Sequence, residues 1–118
     1  MLKKEKRLSK KEFTRAFQKG SPFVFSDFIV KYIPNGLEFS RFGVSAGLKI
    51  SKKAVERNAI RRKLYEAAKE QQGFLPKGDY IILVRQKSDP DVLKKSLTAN
   101  LSNIRERILA KHQHTRSA

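Results

Sequence analysis

The sequence predicts an α/β (α+β) chain with a two-layer core, in which a mixed sheet of about four strands is packed by helices in the order α-β-β-(β)-α-β-α. A continuous apolar run, Tyr80 to Val84, reads as a strand buried on both faces in the middle of the sheet. A basic helical stretch lies between that run and an earlier strand, giving a β-α-β crossover of the kind that joins parallel strands. The 118 residues and 13.6 kDa suffice for one two-layer core and are too few for two. A single domain over 1–118 is therefore expected, with a short basic segment at 1–8 and a polar tail from about 111 to 118.

The first helix is announced twice. Ser9 and Glu12 form a capping box, and Leu8 and Phe13 have the spacing of a hydrophobic staple, so a helix is expected from Lys10 to Lys19, closed by Gly20. Its apolar stripe is narrow: Phe13, Ala16 and Phe17. The two rings either pack on the core, the commoner fate of such a stripe, or line a groove where unstacked bases lie.

From about Val24 to Ile33 the chain is aromatic and β-branched and reads as a strand. Phe28, Val30 and Tyr32 share one face; Ile29, Lys31 and Ile33 share the other, whose mixed polarity suggests incomplete cover. Pro34-Asn35-Gly36 is a turn signal, so this strand is expected to fold back as a hairpin onto a partner between Glu38 and Leu48. Gly43 and Gly47 within the partner suggest a break or a close backbone approach.

The basic stretch, Lys49 to Glu66, holds seven lysines and arginines against two acids and contains neither proline nor glycine. Ser51 is the expected N-cap, and Gly73 the expected stop. On a helical wheel Ile60, Leu64, Ala67 and Ala68 form the stripe to be buried, while Asn58, Arg61, Arg62, Tyr65 and Lys69 lie opposite, with Arg57 at the border. After the strand at Asp79 to Arg85, Asp89-Pro90 starts a last helix whose buried stripe is Leu93, Leu97, Leu101, Ile104 and Ile108 and whose expected end is near Ala110.

Charge narrows the function. A net charge of +16 with pI about 10.4 exceeds what solubility asks of a small domain and makes a polyanion the expected partner. Each phosphate neutralised adds about −0.7 to −0.9 to the log–log salt slope of binding. No segment joins a long apolar face to a basic one, which argues against a membrane surface. Without cysteine, disulfides, thiolate nucleophiles and cysteine-ligated zinc are excluded, and no long apolar run is present; a soluble cytoplasmic protein is the expectation.

Guanidinium forks match phosphate oxygens in pairs, and an amide or phenol beside them can bond sugar or base. Asn58, Arg61, Arg62 and Tyr65, with Arg57 at the border and Lys53 near the start of the stretch, are thus the candidate nucleic-acid-contacting residues. Glu56 and Glu66 stand near the arginines and are expected to hold the forks in place. Catalytic groups are scarce. Both histidines, His112 and His114, sit in the tail, where a metal pair is an outside reading, and the eleven carboxylates are scattered. The chain is expected to bind a nucleic acid without cutting it unaided, with no metal site of its own.

Ala54 to Glu66, AVERNAIRRKLYE, resembles the arginine-rich signature of the bacterial ribonuclease P protein subunit family. The similarity extends to the Phe13/Phe17 helix, the Phe28-Ile29-Val30 strand, Gly43-Val44-Ser45, and the Gly78-Asp79-Tyr80 that introduces the apolar strand. Ala59 and Tyr65 depart from the signature, standing where the family usually carries a basic residue. The resemblance implies a compact α/β two-layer sandwich with a left-handed crossover around the basic helix. It also implies a ribonucleoprotein endonuclease whose RNA subunit, with bound Mg2+, hydrolyses the phosphodiester joining the 5′ leader to precursor tRNA. The protein would be a non-catalytic subunit, monomeric apart from its RNA. Arg57, Asn58, Arg61 and Arg62 would contact the catalytic RNA, while Phe13, Phe17 and the sheet face near Lys31 would border the leader cleft. The alternative is a structural RNA-binding protein of ribosomal type with no part in catalysis.

Overall fold

The computed structural model describes residues 3–117, of which 112–117 by backbone alone. After a short 3-10 turn at Lys4–Lys6 come α1 (Lys10–Lys19), β1 (Ser21–Val24), β2 (Phe28–Ile33), β3 (Arg41–Ser45), α2 (Ala54–Gln71), β4 (Asp79–Val84) and α3 (Pro90–Ser117). The strands form one mixed sheet in the order β1-β2-β4-β3, with β4 antiparallel to β2 and parallel to β3. The apolar run therefore takes the central position expected of it. The parallel pair is the one joined through α2.

Residues alternate cleanly between the two faces of this sheet. Phe28, Val30, Tyr32, Phe42, Val44, Tyr80 and Ile82 face α2 and α3 and build the main core with Ile60, Leu64, Ala67 and Ala68 of one helix and Leu93, Leu97, Leu101, Ile104 and Ile108 of the other. Both helical stripes are those expected from the sequence. Tyr80 stacks on Phe42 with centroids 5.4 Å apart and tilts against Tyr32 at 4.9 Å, an aromatic line across three strands. Among the described residues the opposite face carries one helix, α1, whose Ala16 is buried, as is Ile81 beneath that face; Ile29, Lys31 and Leu83 remain half-covered.

Several local expectations change. The stretch from Val24 to Ile33 is two elements, because β1 and β2 form an antiparallel hairpin closed by Phe25 N–H donating to Phe28 O at 2.8 Å. Pro34-Asn35-Gly36 does turn the chain, with Gly36 at φ 69°, but it makes no hairpin: β4 lies between β2 and β3. Asn35 explains the difference. Its carbonyl accepts from Leu37 N–H at 2.9 Å, and its amide donates to Phe39 O at 3.2 Å and to Asp79 Oδ1 at 2.8 Å, so the loop passes over the start of β4.

Ser51 is not the N-cap of α2; Lys53 occupies that place. The Ser51 hydroxyl instead accepts from Lys53 N–H at 3.1 Å and donates to Glu56 at 2.8 Å, steadying the approach to the helix from two residues upstream. Asp89 caps α3 as expected, accepting from Asp91 N–H at 2.9 Å. That helix does not stop near Ala110 but continues to Ser117. The side chains of His112 and His114, the outside metal pair, lie outside the described residues.

The capping box of α1 forms in both directions, Ser9 N–H to Glu12 at 2.8 Å and Glu12 N–H to Ser9 Oγ at 3.3 Å. Glu12 also pairs with Arg41, which donates in turn to Asp79 from Nε at 2.9 Å and Nη2 at 2.8 Å. Asp79 is 1% exposed, so its charge depends on these partners and on Asn35. Asp79→Ala should cost about 3 kcal/mol or more in denaturant unfolding, since it strands Arg41 and the Asn35 amide. A cost below about 1 kcal/mol would show that the clamp is dispensable.

The Ser9 amide above all, then the Ser9 hydroxyl and the Arg41 charge, hold the Glu12 carboxyl below its ordinary value. A depressed folded-state value contributes stability above the unfolded value, and that contribution is lost as pH falls through the folded one. The stability gap between wild type and Glu12→Gln should thus be constant down to about pH 5 and close below about pH 4. A gap independent of pH would show that ionisation of Glu12 contributes nothing to stability.

Candidate nucleic-acid interface

Burial of Ile60, Leu64, Ala67 and Ala68 fixes which side of α2 meets solvent. Asn58 and Arg62 are exposed and Arg61, bonded to the Asn58 carboxamide, is half-exposed. Arg57, at the border, donates to Ser51 O at 2.9 Å, and Lys53 is exposed at the N-terminal end. Tyr65 packs partly on the core, and its hydroxyl accepts from Val44 N–H at 3.3 Å. Four of the six predicted residues, Asn58, Arg61, Arg62 and Tyr65, line a cleft of about 450 Å3 together with Arg7 and Val44. No carboxylate lines it. Helical periodicity placed these four together; Arg57 is turned back to the Ser51 carbonyl and Lys53 stands at the helix start, so neither lines the cleft.

The acids of α2 do not hold the arginine forks, contrary to expectation. Glu56 pairs with Lys87 at 3.1 Å, and Glu66 pairs with Lys94 at 3.3 Å and Lys63 at 3.7 Å. Ser51 first and Lys87 second lower the Glu56 carboxyl, and a Lys94 bond lowers that of Glu66. Lys63 also reaches Asp91 at 3.2 Å, so its charge is spent against α3. The helix is thereby sorted: mixed charge toward α3 and Lys87, uncompensated positive charge around the cleft.

A second surface lies on the face carrying α1. The two rings of α1 part company there. Phe13 is half-buried against Gly43, where a Cβ would stand 2.6 Å from the ring and 3.4 Å from Leu8, so glycine is what lets α1 settle on β3. Phe17 is 45% exposed and does not pack into the core, the commoner fate weighed for it from the sequence. Lys31 crosses from β2 to donate to Phe17 O at 2.7 Å with its ammonium 4.0 Å from the ring centroid. An aromatic ring and a cation thus stand together beside the half-covered Ile29 and Leu83.

Arg7 escaped the sequence reading. It lies in the basic segment 1–8, and nothing local marks it; only its pairing with Phe42 beside β3 brings it to the cleft of α2.

Fold and surfaces together define a small α+β protein with a mixed four-stranded sheet, three helices, and separate cationic and aromatic faces. The family model for Ribonuclease P matches residues 1–109, and the chain belongs to the ribonuclease P protein family. It is 30% identical over 108 residues to the ribonuclease P protein component of Petrotoga mobilis, covering 91% of this chain and 87% of that one. With the Shouchella clausii component it shares 32% over 106 residues, 87% and 85% of the two chains. The solved ribonuclease P protein of Thermotoga maritima superposes with a TM-score of 0.71 at 26% identity, over 82% of this chain and 96% of that one. Membership of this family places the chain in tRNA processing.

Proposed function

We propose that the chain is the non-catalytic protein subunit of a cytoplasmic ribonuclease P ribonucleoprotein. It binds the catalytic RNA through Lys53, Arg57, Asn58, Arg61, Arg62 and Tyr65, and the single-stranded 5′ leader of precursor tRNA beside Phe13, Phe17 and Lys31. The single observation that supports this best is the separation of two unlike surfaces: a carboxylate-free cationic cleft on α2 and an exposed ring with a lysine on the opposite sheet face. Guanidinium forks suit a folded RNA backbone, whereas an exposed ring suits unstacked bases. A mature tRNA offers no leader to the second surface, so the protein favours the precursor.

Hydrolysis belongs to the RNA subunit, which carries the Mg2+ of the reaction. In this reading the chain's own part is to bind and orient the two RNAs. Apart from its RNA it acts as a monomer.

The decisive experiment is cleavage of 5′-labelled precursor tRNA at low magnesium by a bacterial catalytic RNA, with and without the protein, beside the protein alone. Cleavage at the mature 5′ end only in the combination is expected. Tight RNA binding with no stimulation would favour a structural ribosomal-type protein instead. Arg61→Ala should weaken catalytic-RNA binding by about 1–3 kcal/mol with leader discrimination intact. Phe17→Ala should do the reverse, losing about 1–3 kcal/mol of preference for leader-bearing precursor while the melting temperature holds. A drop in melting temperature with unchanged discrimination would return Phe17 to a packing role.

A further inference from the structure

We propose that Arg7 completes a phosphodiester-binding site for the catalytic RNA, formed between the N-terminal segment and α2 at the outer edge of β3. The inference rests on the assignment of the α2 surface to that RNA. Arg7 pairs in parallel with Phe42, and Leu8 N–H donates to Phe42 O at 2.8 Å, so the segment lies alongside β3 as a strap. Alternation then separates the two side chains. Leu8 goes to the α1 side, near Gly43 and Phe13, and Arg7 goes to the α2 side.

There the Arg7 guanidinium meets Asn58, Arg61, Arg62 and Tyr65 around the cleft of about 450 Å3. Its Nε is shielded from solvent and is the one such side-chain atom, among the described residues, without a hydrogen-bond partner. Three guanidinium groups without a carboxylate repel one another, and a shielded donor without an acceptor is costly. An anionic oxygen relieves both. Tyr65, whose hydroxyl is engaged by Val44 N–H, and Arg7 also line a separate cleft of about 800 Å3, but Glu5 and Glu12 stand in the wall of that one, so the carboxylate-free cleft is the one that suits an anion. Asn58 and Arg7 can then grip neighbouring backbone oxygens of one RNA strand.

The test is titration of the full chain against a bacterial catalytic RNA over a salt series, with wild type, Arg7→Gln, Arg7→Lys and Arg61→Ala. Arg7→Gln keeps much of the stem while removing the charge. It should bind about tenfold more weakly with a salt slope shallower by about 0.7–0.9, without change in leader discrimination and with a melting temperature no lower than that of the wild type. Arg7→Lys should restore the slope but not the full affinity, since a point charge replaces a fork. Inorganic phosphate at constant ionic strength should not displace the RNA; displacement would mark a free-anion site and overturn the assignment. Wild-type affinity and slope in Arg7→Gln, beside a weakened Arg61→Ala, would overturn this inference and leave the α2 surface standing. A lowered melting temperature that accounts for the lost affinity would make Arg7 a packing residue. Failure of the wild type itself to bind the RNA would remove the underlying assignment as well.

Discussion

A carboxylate that is 1% exposed must find its compensation inside the protein, and Asp79 finds it in two residues. Arg41 on β3 supplies a two-pronged bond, Asn35 in the β2–β3 loop supplies a third donor, and through Arg41 the pairing reaches Glu12 on α1. Asp79 opens β4, so the cluster ties the first residue of the central strand to its parallel neighbour, to the loop that must clear it and to the helix on the far face. A charged cluster of this kind adds little net stability compared with apolar packing, but a wrong register leaves its members unpaired. Its value is specificity: Arg41 opposite Asp79 is the pairing that sets Phe42 on Tyr80 and Gly43 on Ile81. Gly78, just before it, is held to the smallest side chain because a Cβ there would fall 2.3 Å from the Tyr32 ring. Gly78-Asp79-Tyr80 therefore combines close approach, charge clamp and aromatic stack in three consecutive residues.

Much of this architecture was legible in the sequence because its signals are local. The Ser9–Glu12 box, the Asp89 cap, the stripes of α2 and α3 and the apolar run of β4 each depend on neighbours within a turn or two. What the sequence did not disclose is which strands lie side by side. Pro34-Asn35-Gly36 has the chemistry of a turn whether β3 pairs with β2 or yields to β4, and only the distant Asp79 decides. Ser51 failed as an N-cap for a related reason: its hydroxyl had a competing acceptor in Glu56 as well as a backbone donor. Phe13 and Phe17 are one turn apart with the same side chain, yet Gly43 of another element makes room for the first alone.

The candidate site divides along the same line. Helical periodicity identified the exposed side of α2, but not the fate of its charges, because Lys87, Asp91 and Lys94 come from later in the chain. Those residues neutralise the flank toward α3 and leave the opposite flank positive. A net charge of +16 thus becomes directional. An even distribution would attract any polyanion in any pose, whereas a bare ridge beside a compensated flank selects one face for the encounter.

The sheet edges complete the reasoning. An open sheet has two, and each exposes backbone donors and acceptors to any passing strand. At β1 the chain places Pro22, which has no amide to offer. At β3 the solution is different: Leu8 N–H occupies Phe42 O, and the Tyr65 hydroxyl occupies Val44 N–H. A basic residue at 65 would add charge to the ridge but could not accept that amide hydrogen, so tyrosine gives up a positive charge for a closed edge. With the edge closed by the strap that carries Arg7, the charge absent at 65 is supplied from the N-terminal segment, and the same few residues that prevent strand addition shape the cleft beside α2.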